Sequence, residues 1–279
     1  MRKIMRLGVM ALLFCLISVV LAGCGEQLKN YRSITNVDDL EGRKIGVIMG
    51  WSSDYLLTPR DGKDLILYRY DENADLLMAL CYRHLDAVAV DKLTWEVMNN
   101  VNSGLSHVEE PITMDGYLAY MSRDREDLRD EFNDFIAEFK QTEEYADLCT
   151  RIEKFDGTNY EWDEKLELKG NGEKIKACYD ATVYPFSFVS SEGQSQGFDV
   201  ELMYYFANAL NLDLELVPTG ETDLYSGIET GRYDMAFGML SIAFEPEAIS
   251  VGIPTSDVYY ELPLYLVEVA DPDTVVIGE

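Results

Sequence analysis

Histidine is almost missing from this chain of 279 residues, and its absence narrows the chemistry at once. His84 and His107 are the only two, and they form no metal-ligand pattern with cysteine, so neither a zinc site nor a histidine-activated nucleophile is expected. Cysteine is also sparse, at five residues. Cys15 and Cys24 lie near the start, which leaves Cys81, Cys149 and Cys178, an odd number that cannot all pair within the chain. Each of the three sits in an apolar context (ALCY, DLCT, KACY) and reads as a buried free thiol. Positive charge is scarce too: 23 Lys and Arg against 51 Asp and Glu give a formal charge of −28. That excludes nucleic acid and anionic headgroups as docking partners and mildly favours cationic or neutral ligands, although an acidic surface also serves solubility. Beyond residue 20, no apolar run approaches the ~18 residues needed to span a bilayer.

What the chain does have at its start is a leader. "MRKIMR" is a basic segment, Leu7–Val20 is apolar, and Leu21-Ala22-Gly23-Cys24 is a small-residue cleavage site ending in cysteine. The arrangement resembles the lipobox of bacterial lipoproteins, which implies cleavage after residue 23, lipidation of Cys24 with palmitate or a similar acyl chain, and an extracytoplasmic protein anchored to the cell membrane. Residues 24–36 then read as a polar tether.

Strand-like runs at Ile45–Met49, Leu65–Tyr68, Ala87–Val90 and Tyr117–Met121 alternate with helical patterns, the mark of βα units. Leu128, Phe132, Phe135, Ile136 and Phe139 fall on one face of an amphipathic helix, and a shorter helix follows at Tyr145–Ile152. Gly, Asn and charged residues between 156 and 173 mark a linker. A second series follows: strand Ile175–Tyr179, a turn and strand at 184–188, helix Phe198–Leu210, strand Leu212–Val217, helix Leu224–Thr230 and strand Met235–Gly238. "YRHLDAVAVD" and "GRYDMAFGML" echo each other, each placing a basic residue and an aspartate before an apolar strand. Two α/β lobes of related construction are expected.

Six stretches carry a resemblance. "YPFSFVSSEGQSQGFDVELMYYFANAL", "LYSGIETGRYDMAFGMLSIAFEPEAI" and "TSDVYYELPLYLV" in the second half, with "DLEGRKIGVIMGWSS", "LCYRHLDAVAVD" and "GYLAYMSRDREDLRDEFNDFIAEFKQTEEYADLCTRIEKF" in the first, resemble the family 3 extracellular solute-binding proteins of polar-amino-acid ABC transporters. The resemblance implies a two-lobed, periplasmic-binding-protein-like II clamshell. The two halves stand in the reverse of the family's order, which implies a circular permutant; the alternative is a fragment of a longer array. On this reading 1–23 is the signal peptide, 24–36 the tether and 37–121 the family's second lobe. Residues 122–155 are its C-terminal helices packed on the first lobe, 156–173 the linker, 174–269 the first lobe, and 270–279 a tail.

The family's ligand lies between the lobes. The resemblance places Asp91 at the ammonium-binding aspartate, and Ser52, with the N–H groups of Trp51 to Ser53, at a helix-start anion site. Asp180 and Ser241 align with cleft positions, and Glu221 falls where an aromatic ring often stacks. Val183 occupies another such place, with Tyr184 beside it, and Trp51 is a candidate to stack on a ligand. The family's carboxylate-clamping arginine is replaced by Pro246, between Glu245 and Glu247. Either the ligand is a cationic, zwitterion-poor or amine-bearing small molecule or a peptide-like one, or Arg232, Arg60 or Arg43 supplies the missing charge.

The resemblance thus implies a monomeric, non-enzymatic protein without cofactor or metal. It would capture a small polar ligand, amino-acid-like or amine, and deliver it to an ABC transporter permease. A sensory lipoprotein and, less favoured, a dehydratase-like enzyme are the alternatives on the same fold.

Overall fold

The computed structural model describes residues 33–155 and 159–270. The leader, Cys24 and most of the tether and tail lie outside the described residues. Strand β1 (Arg43–Ile48) leads through α1 (Ser52–Leu57) to β2 (Leu65–Tyr70), α2 (Asn73–Cys81), β3 (Ala87–Asp91) and α3 (Lys92–Val101). Short strands β4 (Leu105–His107), β5 (Thr113–Tyr117) and β6 (Tyr120–Met121) precede the helices α4 (Glu126–Phe139) and α5 (Glu143–Glu153). The second series runs β7 (Lys174–Asp180), β8 (Thr182–Val183), β9 (Ser187–Val189), β10 (Ser195–Gln196), α6 (Phe198–Ala209), β11 (Asp213–Thr219), α7 (Glu221–Glu229), β12 (Met235–Phe237), α8 (Glu245–Ser250) and β13 (Tyr260–Val269). No described helix is long and apolar enough to cross a membrane.

Two mixed sheets result. The first has the order β2-β1-β3-β13-β4, with β5 also on β13, and the second has β11-β7-β12-β6. In each, three strands from successive βα units run parallel (β2, β1 and β3 in one; β11, β7 and β12 in the other), as short helical crossovers require. Their central strands read as continuous apolar runs because helices cover both faces: every residue of β3 is buried. In α4 the apolar stripe Leu128, Phe132, Ile136 and Phe139 packs with Leu148 and Ile152 of α5 against Phe198, Met203 and Phe206 of α6 in the core of the second lobe.

The lobes exchange chain in two places. Tyr117–Met121, a single strand by its sequence pattern, is divided: β5 pairs with β13 in the first sheet and β6 with β12 in the second. Between them the chain crosses the seam, held by Leu118 N–H to Leu240 O (3.0 Å) and Ala119 N–H to Ser256 Oγ (2.8 Å). Similarly, Tyr260–Val269 was expected with the 174–269 lobe but pairs with β3, β4 and β5 in the first sheet. Its side chains are buried from Leu266 to Val269, and only a sheet flanked on both sides can accept them. Of the three thiols, Cys178 is buried, whereas Cys81 and Cys149 are only partly so; all are free.

Candidate functional site

A cleft of about 490 Å³ opens at the seam between the sheets. Trp51, Ser52, Ser53, Asp91, Asp180, Tyr184, Glu221 and Ser241, the eight positions singled out in the sequence, all line it. The first lobe presents the β1–α1 turn, the end of β3 and the second half of β5; the second presents the ends of β7 and β12 and the start of α7. Ends of the parallel strands of two mixed sheets therefore meet across a gap, as in open α/β folds generally.

Asp91 ends β3 and caps α3. Its Oδ1 accepts the N–H groups of Leu93 (2.9 Å) and Thr94 (3.0 Å), and its Oδ2 accepts the Thr94 hydroxyl (2.6 Å). Asp180 ends β7, where Oδ1 accepts the N–H (2.9 Å) and hydroxyl (2.7 Å) of Thr182. Ser241 begins the turn after β12: its Oγ accepts Ala243 N–H (3.0 Å) and donates across the seam to Asp115 Oδ1 (2.5 Å).

Asp115, in β5, is a residue that the sequence patterns do not single out. It is only 3% exposed yet lines the cleft, and its hydrogen-bonding side chains are hydroxyls rather than cations. Burial pushes its carboxyl above the ordinary range, opposed by the hydroxyls of Ser241 and Ser52 and aided by the nearby Asp91 charge. Tyr117, on the same strand, is held well above the usual phenol range by burial, then by Asp91 and Asp115. On the other wall, burial and then Glu221 and Asp180 raise Tyr225 to about 12. Carboxylates thus shape the field on both sides of the gap.

In the β1–α1 turn, the candidate anion site, the Trp51 N–H donates to Ile48 O (3.2 Å). Helix α1 has six residues, and Gly50 N–H already donates to Asp54 Oδ2 (3.1 Å) within that turn. The Ser52 hydroxyl is engaged with Asp115. Arg69 Nε approaches Asp54 Oδ1 (2.8 Å) from behind, so its charge is spent there. Pro246 stands in the first turn of α8. Of the three arginines that could replace a lost clamp, Arg43 lies near Asp86 (3.9 Å), Arg60 pairs with Asp64 (2.7 Å) and Arg232 with Asp223 (3.6 Å); none lines the cleft.

Aromatic rings complete the walls. Trp51 is 44% exposed and Tyr184 41%, while Phe244 and Phe155 also line the gap. Tyr184 packs edge-on against Phe155, with centroids 5.2 Å apart, and its hydroxyl accepts Tyr160 N–H (2.8 Å) from the 156–173 linker. Across the gap, Tyr55 of α1 meets Phe244 edge-on at 5.2 Å and donates from its hydroxyl to Glu247 (2.7 Å). Phe155 and Tyr55 join Asp115 as residues whose contribution appears only in the fold. Among the described residues no cluster of His, Cys, Asp or Glu could hold a metal ion.

Two α/β lobes linked by crossing strands around a polar, aromatic cleft define a two-lobed α/β clamshell fold. Residues 175–248 match the sequence profile of bacterial extracellular solute-binding proteins, family 3, the family recognised from the sequence motifs. No curated protein matches the chain. Solved structures that it resembles remotely include the probable amino-acid ABC transporter extracellular-binding protein ytmK from Bacillus subtilis (11% identity, 86% of this chain and 88% of that one, TM-score 0.45). Another is a phosphate-binding protein of a phosphate ABC transporter from Streptococcus pneumoniae (11%, 85% and 91%, TM-score 0.40). A third is the ligand-binding component of an ABC-type import system from Staphylococcus aureus with zinc bound (11%, 82% of this chain but 66% of that one, TM-score 0.38).

Proposed function

We propose that this protein is a lipid-anchored, extracytoplasmic solute-binding protein that closes two lobes on a small polar ligand, amino-acid-like or amine, and delivers it to an ABC permease. The observation that carries this reading is the seam cleft, to which both lobes contribute polar and aromatic side chains. Tyr55 and Phe244 already touch across its mouth, a contact that hinge opening at the crossing strands would break. A dehydratase acting on a dicarboxylic acid would need cations in the gap, and among the described residues no Lys, Arg or His lines it. The decisive experiment is a thermal-shift panel of amino acids, amines and other small polar solutes on the purified protein. A bound ligand raises the melting temperature by mass action; turnover of any panel member would overturn the reading. Palmitate labelling of cells, lost in Cys24→Ala, tests the anchor.

The reading includes the chain order. A permuted family pattern is supported at both junctions. Ser33 and the Ile34 N–H both donate to Glu268 near the end of β13, so the described ends meet on one lobe. On the other lobe the linker lies against α6: Lys169 N–H donates to Asn208 Oδ1 (2.8 Å), and Asn208 Nδ2 to Glu167 O (2.9 Å). A gene re-ordered to begin at Lys174 is expected to give the same fold and ligand profile. Failure of that variant to fold would count against permutation.

A further inference from the structure

Given a ligand-binding cleft, the geometry points to small organic amines without a carboxylate as its ligands, with Asp115 as the residue that reads their charge. This rests on the binding reading above and narrows it. Among the described residues four carboxylates line the gap, Asp91 and Asp115 on one lobe and Asp180 and Glu221 on the other, and no Lys, Arg or His does. The three arginines that could have restored a positive pole are committed to Asp86, Asp64 and Asp223 elsewhere.

An acidic lining alone could be a solvated surface. Asp115 is not: it is 97% removed from solvent, borders an open cavity, and is met by hydroxyls from Ser241 and Ser52. A buried carboxylate without an opposite charge is costly unless something else neutralises it. A second acceptor points the same way. Asn73 lines the cleft, and its Oδ1 is shielded from solvent without a hydrogen-bond partner. Among the described residues no three carboxylate, imidazole or thiol donors converge as a metal site requires, so the carboxylates fit an organic cation better than a metal ion. Charge spread over two walls fits an extended organic cation, and the faces of Trp51, Tyr184 and Phe244 can cover its ammonium and methylene parts.

A carboxylate on the ligand would fare badly. The Gly50 N–H is taken by Asp54, the Ser241 hydroxyl by Asp115, and Pro246 has no N–H to offer. An ammonium finds four acceptors of its charge; an anion finds repulsion.

The test compares ligands that differ by a carboxylate alone. Calorimetric titration of 1,5-diaminopentane against lysine, and of agmatine against arginine, is expected to show the amine of each pair binding at least about tenfold more tightly. Asp115→Asn should weaken 1,5-diaminopentane binding about 10- to 100-fold, the usual cost of a lost charge-assisted contact, with circular dichroism showing a folded protein. Glu221→Gln, at the exposed start of α7, leaves folding alone and should weaken it about threefold or more. Glutarate supplies the anion arm. If lysine, arginine or glutarate binds as tightly as the amines, the charge inference is overturned while the cleft remains a binding site. If no probe of any class binds, both readings are overturned. Unchanged amine affinity in both variants overturns the role of the acidic walls; if Asp115→Asn does not fold, Glu221→Gln decides.

Discussion

Glu201 and Asp115 are both withdrawn from water, at 0% and 3% exposure, yet the molecule treats them in opposite ways. Behind the second lobe, Glu201 of α6 takes a two-pronged grip from Arg151, with both N–O distances 2.7 Å, and accepts Asp163 N–H (3.2 Å) from the linker. Arg151 also donates to Glu161 O (2.7 Å), so one ion pair fastens α5, α6 and the linker together. At the seam, the partners of Asp115 among the described residues are hydroxyls. A carboxylate closed off by its own cation holds a structure in place, whereas one that faces a cavity with its charge uncompensated is arranged for a partner from outside.

The contrast can be broken from its structural side first. Arg151→Met leaves Glu201 buried without its cation and should destabilise the protein by about 3–5 kcal/mol in urea unfolding, with ligand specificity unchanged where folded. A destabilisation below about 1 kcal/mol would mean that the Glu201 pair is no better compensated than Asp115.

Next in size is a pH effect at a third buried carboxylate. Asp199, at the start of α6, accepts Met239 N–H (3.3 Å), and burial pushes its carboxyl up to about 7. The folded state then keeps a proton that the unfolded chain releases near pH 4. Stability should therefore fall as pH rises from about 4 to about 7, by up to about 1 kcal/mol per pH unit, and Asp199→Asn should flatten that slope. Tyr259 faces the same carboxyl with a phenol held well above its ordinary range, so it stays neutral throughout this window. Denaturant melts at several pH values, wild type against variant, measure the difference.

Asp115→Asn sharpens the comparison from the other side. Because burial disfavours its charge, the substitution should raise stability at pH 8, by less than about 1 kcal/mol, while weakening amine binding. Loss of both would place Asp115 with Glu201 as a structural group. The smallest effect is expected at the mouth: Tyr55→Phe removes the exposed hydrogen bond to Glu247 and should change ligand affinity less than about threefold by titration.

The βα alternation, the stripe on α4 and the eight cleft positions were legible because they depend on local periodicity or on family motifs. The division of Tyr117–Met121 between two sheets was not, since an apolar run carries no mark of the sheet that it will join. Asp115 escaped for a similar reason: in "TMDGY" it looks like the polar residue of an alternating strand. Its burial comes from Ser241, 126 positions away, and from the packing of β5 on β13. Trp51 and Tyr184 could be nominated from sequence, but the seating of Tyr184 by Phe155 and the linker could not.

By itself the sequence determined the scarcity of histidine and of positive charge, the two βα series and the proline between two glutamates at position 246, all properties of composition or short spacing. Only the tertiary structure decided that no arginine among the described residues lines the gap, that the Ser52 and Ser241 hydroxyls turn to Asp115, and that acidic groups from both lobes face one cavity. Those outcomes depend on which distant segments are brought into contact and shielded from water, and a charge's partners are set by that shielding rather than by its neighbours along the chain.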